Sequence, residues 1–191
     1  MKFLTSIFIV IILLAGCSSK PSLELTGSSV EIRDNKSGGI EITSGEQTGE
    51  IIQPITLSYN FILKNTGGKN LGGMEELNNE TYEFNDGIKV YIEPNEKLKV
   101  VSEEVLGINI YDEGEEKSLN IGKTSVPVLE PNQEGKYTFD FTLGALEENP
   151  EIQLAPSSEQ LEKLQEHALD ATLIVSVEGE EIARFDLSNS H

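Results

Sequence analysis

The stretch Ile55-Thr56-Leu57-Ser58-Tyr59-Asn60-Phe61-Ile62-Leu63-Lys64 decides the fold class. Its odd-numbered positions are large and apolar and its even-numbered ones mostly polar. Successive side chains of a pleated strand point to opposite faces, so this period of two predicts a strand with one apolar face. Such a strand needs a second layer to cover it. The same period recurs in Ile88, Val90 and Ile92, in Tyr137, Phe139, Phe141 and Leu143, in Leu173, Val175 and Val177, and in Ala183, Phe185 and Leu187. Shorter candidates are Val30 to Arg33, Ile40 to Thr43, Leu98 to Val101 and Val105 to Ile110. Turn-forming runs separate them: Asp34 to Gly39, Asn65-Thr66-Gly67-Gly68, Asn85-Asp86-Gly87 and Glu178-Gly179-Glu180. About seven to nine short strands divided by polar turns predict an all-β, antiparallel β-sandwich over residues 30–191.

One segment breaks the pattern. Ser157 and Gln160 have the spacing of a capping box after Pro156, and Leu161, Leu164 and Ala168 follow at i, i+3 and i+7. This predicts one short helix, about 157–169, lying as a lid over one end of the core before a C-terminal hairpin. Glu159 and Lys163 are spaced to pair on its outer face.

Toward the amino terminus, Lys2 and an apolar run from Ile7 to Leu14 have the layout of a secretory leader. The run is shorter than the 20 or so residues that span a bilayer. It ends in Leu14-Ala15-Gly16-Cys17, which contains the single cysteine of the chain. These four residues resemble the lipobox of bacterial lipoproteins. The resemblance implies removal of residues 1–16 as a lipoprotein signal peptide and acylation of Cys17, with chains such as palmitate. It also implies a lipidated tether over residues 17–29 and a domain anchored to the cell membrane on its extracytoplasmic side. With Cys17 acylated, no thiol remains for a disulfide, so packing and β ladders must hold the domain.

Composition excludes one class of partner. Fourteen Lys and Arg stand against 33 Asp and Glu, a formal net charge of −19, and a surface of that sign repels phosphate backbones, so no nucleic acid is expected. The acidic residues are scattered, which suits solubility.

A second resemblance joins the strand Ile55 to Lys64 and its Asn65-Thr66-Gly67-Gly68 turn to the Pro131-Asn132-Gln133-Glu134-Gly135 turn, the strand Tyr137 to Leu143 and the final hairpin. Together these look like bacterial immunoglobulin-like modules, without the tryptophan and cysteine pair of antibody domains. The resemblance implies a display or binding scaffold and carries no catalytic residues. In that topology Ile55 to Lys64 is the second main strand, and Asn65 to Gly87 leads to the third, sharing an end with the Glu178 turn and the start of the first strand. A connection of that length exceeds what a passive loop needs, and it is disordered, locally folded or a recognition element. Its apolar residues Met74, Leu77, Tyr82 and Phe84 are the candidate partner-binding set.

Catalytic patterns are not found. There is no G-x-S-x-G elbow, and the two histidines, His167 in the expected helix and His191 at the last position, cannot form a cluster. No catalytic residue, metal ligand or cofactor is assigned. Asp112-Glu113-Gly114-Glu115-Glu116 and Glu147-Glu148 with Glu151 concentrate carboxylates but do not follow the calcium-loop pattern, and read as solvated turns. The expected function is a lipid-anchored envelope lipoprotein that binds another envelope protein, with a small-ligand or calcium-binding surface receptor as the alternative.

Overall fold

In the computed structural model of the protein, which describes residues 22–34, 39–79, 82–112 and 121–188, the alternating stretch Ile55 to Lys64 lies in strand β4 (Pro54–Asn65) inside a four-stranded sheet. It pairs antiparallel with β1 (Leu23–Asp34) on one side and β9 (Glu134–Ala145) on the other, and β9 pairs with β8 (Ile121–Thr124). A second antiparallel sheet has the order β11 (Glu180–Asp186), β10 (Ala171–Val177) and β7 (Ile88–Pro94). Leu57, Tyr59, Phe61 and Leu63 of β4 and Leu173 and Val175 of β10 are fully buried in one cluster that spans both sheets. The protein is thus mostly antiparallel β structure around a shared apolar core. The lipobox Leu14–Cys17, the leader, the first tether residues, most of the Asp34–Gly39 turn, the 113–116 acidic run and His191 lie outside the described residues.

The outer face of β4 is covered over its first half and open at Ile62. Thr56 and Ser58 point away from the core yet are also buried, because the Arg33 guanidinium crosses above β4 to Asp140, at 2.9 and 3.0 Å to its two carboxylate oxygens. The Ser58 hydroxyl donates to Asp140 Oδ1 at 2.6 Å beneath that bridge. Each apolar side chain on the inner face contributes roughly 1.5–3 kcal/mol by leaving water, whereas the part-exposed Arg33–Asp140 pair is worth at most about 1 kcal/mol.

The structure corrects three expectations. The segments expected as strands at Leu98 to Val101 and Val105 to Ile110 instead form helix α1 (Glu96–Leu106) and the turn after it, so the described residues hold two helices where one was expected. Asn95 caps its start by accepting from the backbone N–H of Lys97 and Leu98, both at 3.0 Å, and Gly107 ends it at φ 77 with its N–H bonded to Glu103. Leu98, Val101 and Val105 then fall on one buried face, and the helical period overrides the β preference of the valines. Second, β1 begins at Leu23, so residues 23–29 lie in a sheet and not in a tether. Third, Lys163 reaches Glu104 of α1 at 2.6 Å in place of Glu159.

The other helix lies where expected. Helix α2 (Ser158–His167) starts in a complete capping box between Ser157 and Gln160 and buries Leu164, with Ala168 beyond its end also buried. Two small hairpins complete the chain: β2 (Ile40–Glu41) with β3 (Ile51–Ile52), and β5 (Leu77–Asn78) with β6 (Glu83–Phe84). Among the described residues no helix is long and apolar enough to cross a membrane.

Candidate partner-binding cleft

The long connection between β4 and β7 is locally folded; Leu71 packs on the core, and hydrogen bonds hold the rest of the described part. Asn65, buried at the end of β4, donates from Nδ2 to the carbonyls of Lys69 (2.8 Å) and Leu129 (2.9 Å) and accepts from Gly67 N–H (2.9 Å), which turns the chain sharply. Leu71 and Leu129 exchange backbone hydrogen bonds of 2.9 Å. Gly72 follows at φ 77, where a Cβ would lie 2.1 Å from the Pro127 carbonyl oxygen, so only glycine fits. The Asp86 carboxylate then accepts from the backbone N–H of Glu75 (3.0 Å) and Glu76 (3.3 Å), which holds its pKa below the usual carboxylate value.

These anchors raise the β5–β6 hairpin, in which Leu77 opposes Phe84 and Asn78 opposes Glu83. Tyr82 closes its turn at φ 56, a left-handed conformation rare for a bulky residue, with its N–H bonded to Asn78 O at 2.8 Å. Tyr82 is 82% exposed, Met74 58% and Leu77 48%. Phe84 leads through Gly87 to β7, whose first N–H, that of Ile88, bonds Pro127 O at 2.9 Å.

A cleft of about 190 Å³ opens beside this hairpin. Tyr82 and Phe84 form one wall, Val90 and Tyr91 of β7 another, and Phe139 and Lys123 the floor. The Lys123 ammonium lies 5.8 Å from the Phe139 ring centroid, within cation–π range. Lys89 stands at the rim, 3.9 Å from Glu83. Aromatic walls with two lysines, in a chain so rich in carboxylates, suit a partner that offers apolar side chains and an acidic or hydrogen-bonding flank.

Of the four residues expected to bind a partner, the structure brings Tyr82 and Phe84 to the cleft and sets Leu77 opposite Phe84 on the hairpin; Met74 is exposed but lies outside the cleft lining. Tyr91, Lys123 and Phe139 complete the cleft and were not legible as a site. Tyr91 is the one aromatic on the polar side of its strand, a signal that could have singled it out; Lys123 sits in a strand with no clear alternation.

The other candidates have structural roles. The Glu151 carboxylate accepts from Thr43 N–H (2.7 Å) and hydroxyl (2.9 Å), pinning the β2–β3 hairpin and holding the Glu151 pKa below its usual value. His167 Nδ1 meets the Asp170 carboxylate at 2.9 Å beyond α2. Among the described residues no group of three or more His, Cys, Asp or Glu is placed to hold a metal ion.

The cleft sits at a defined end of the molecule. Leu23 opposes Asn65, Ser22 O accepts from Thr66 N–H at 2.7 Å, and Val177, before the Glu178–Gly179 turn, opposes Ile88. The β5–β6 connection, that turn and the start of β1 thus share one end, while α1 and α2 pack together at the other. No protein-family model matches the chain, and no curated protein or solved structure is significantly similar to it.

Proposed function

We propose that this chain is a lipid-anchored lipoprotein of a bacterial envelope whose immunoglobulin-like β-sandwich serves as a binding or accessory module for another envelope protein. The leader and the Leu14-Ala15-Gly16-Cys17 motif support the anchor. Strand order supports the scaffold: β1-β4-β9-β8 facing β7-β10-β11 is the A-B-E-D and C-F-G order of a seven-stranded immunoglobulin constant-type sandwich. The helices then occupy the connections from the third to the fourth and from the fifth to the sixth main strand.

The observation that carries the binding role is the exposed aromatic crest of Tyr82 above Phe84, on a connection fixed by buried and backbone hydrogen bonds yet hardly packed on the core. A rigid aromatic presented at low entropic cost is what a recognition loop needs. The cleft, at about 190 Å³, is smaller than the roughly 300–1,000 Å³ typical of small-molecule sites, so this particular site suits a protein side chain better than a whole small ligand.

Chemical cross-linking in intact cells tests the reading. The wild-type chain is expected to capture an envelope protein that a Tyr82→Ala, Phe84→Ala chain does not, at equal abundance of both. The same captured proteins from both chains would overturn it. The anchor is checked separately: incorporation of labelled palmitate should be lost on Cys17→Ser.

A further inference from the structure

Strand β7 pairs with β10 on one side and, among the described residues, with no strand on the other. Two hydrogen bonds establish which backbone groups face that open side. Ile88 N–H points away from β10, to Pro127 O at 2.9 Å, whereas Asn95 N–H turns to the β10 side, to Asp170 O at 3.0 Å. The pairing has no register shift, so alternation sets the amides of Lys89, Tyr91 and Glu93 toward β10 and those of Val90 and Ile92 outward. Outward N–H and C=O groups on an edge strand are a template for another strand.

The sequence along this edge is self-complementary. Read about Tyr91, Lys89-Val90-Tyr91-Ile92-Glu93 places a cation and an anion at equal distances from the centre. We propose that β7 is the seam of a symmetric homodimer, in which the β7 strands of two copies pair antiparallel about a two-fold axis through Tyr91 and join their three-stranded sheets into one of six strands.

The register follows from the backbone and is matched by the charges. With Tyr91 on the axis, Val90 opposes Ile92 of the second copy, and all four outward amides exchange hydrogen bonds. Lys89 then opposes Glu93 of the second copy, twice over. Sliding by two residues in one direction sets Val90 against Pro94, which has no N–H to give. Sliding in the other sets Ile92 against Ile88, whose N–H is already bonded to Pro127. Tyr91, 43% exposed, would stack on its counterpart at the axis. Arg184 already steadies Glu93 from behind, at 2.8 and 3.3 Å to its two oxygens, and the half-exposed carboxylate has room for a lysine from the other copy.

The seam leaves the Tyr82–Phe84 wall outside it, but Val90 and Tyr91 are also the second wall of the cleft and Lys89 its rim, so a partner entering the cleft along β7 competes with the dimer. The test uses the full-length chain solubilised from membranes in detergent, at physiological ionic strength so that the net negative charges are screened. Light scattering of the unaltered chain should give twice the monomer mass. Opposed residues at a non-hydrogen-bonded antiparallel position have Cα atoms about 4.5 Å apart, within disulfide reach. Mild oxidation of a Tyr91→Cys chain should therefore give a covalent dimer that mass spectrometry maps to position 91, distinct from any link through Cys17. Adding Lys89→Glu or Glu93→Lys alone should cut that yield roughly tenfold by setting like charges opposite one another, and adding both should regain it. Tyr82→Ala with Phe84→Ala should leave the link intact, so a failed cleft and a failed seam are told apart. A monomer mass for the unaltered chain, or a link at position 91 indifferent to the single charge reversals, would overturn the proposal.

Discussion

Two connections cross from the four-stranded to the three-stranded sheet, and the folded elements they carry, a helix in one and a hairpin in the other, treat their apolar residues in opposite ways. The α2 helix and its end bury Leu164 and Ala168 completely, and Ala168 O accepts from the Tyr59 hydroxyl at 2.9 Å inside the core, although Leu146 and Leu154 ahead of the helix stay exposed. The one carrying the β5–β6 hairpin leaves Met74, Leu77 and Tyr82 largely in water. The cause is local geometry. A helix gathers residues spaced by three, four and seven onto one stripe that the core can cover. A hairpin with strands of two residues has no broad face to offer, so Asn65, Asp86 and backbone bridges hold it and its rings stay free. The helix of the first connection thus turns Leu164 to stability, while the hairpin of the second leaves its apolar residues open to a partner.

That contrast can be broken by measurement. The largest expected effect is Leu164→Ala, which should lower the unfolding free energy by about 2–5 kcal/mol through lost burial and a cavity; urea melts showing a loss below about 1 kcal/mol would mean the helix is peripheral. Asn65→Ala comes next. It removes the donor to Lys69 and Leu129 and should cost about 1–3 kcal/mol, and proteolysis should then cut first within residues 66–87, where, Leu71 apart, hydrogen bonds give the order.

Alkaline pH sharpens the other side of the comparison. The Tyr59 hydroxyl lies 2.6 Å from that of Tyr111, and burial pushes both pKa values up, that of Tyr59 most, with its neighbour adding to the shift. The unfolded chain releases these protons near pH 10 while the folded chain holds them, so the unfolded state binds fewer protons above that point and stability falls as pH rises. The fall should approach about 1.4 kcal/mol per pH unit for each tyrosine, and Tyr59→Phe should remove one tyrosine's share from a series of melts between pH 9 and 12. Smallest of all is Tyr82→Ala, expected to shift stability by less than about 0.5 kcal/mol. A larger loss would make Tyr82 a packing residue and end its candidacy for recognition.

How much was legible in the sequence depended on whether one period was present. Long alternation exposed β4 and β9, and a complete capping box exposed α2. Helix α1 was missed because Val100, Val101 and Val105 favour strands, although Asn95 and Gly107 framed it and Leu98, Val101 and Val105 had helical spacing. Strand β8, only four residues with a glycine in it, carries too little pattern to find. At the cleft, Tyr82 and Phe84 were found because they lie in an overlong connection. Tyr91, Lys123 and Phe139 come from three separate strands, and their meeting depends on sheet pairing that spacing along the chain does not encode.

The early start of β1 limits reach. From Cys17 to Leu23 there are six residues, and at no more than about 3.5 Å apiece the leash is roughly 20 Å when taut. If the sulfur bears fatty chains as proposed, the end of the domain that carries Tyr82 stays within about that distance of the headgroups. Such a short leash favours binders that present their docking segment close to the bilayer, such as neighbours in the same membrane.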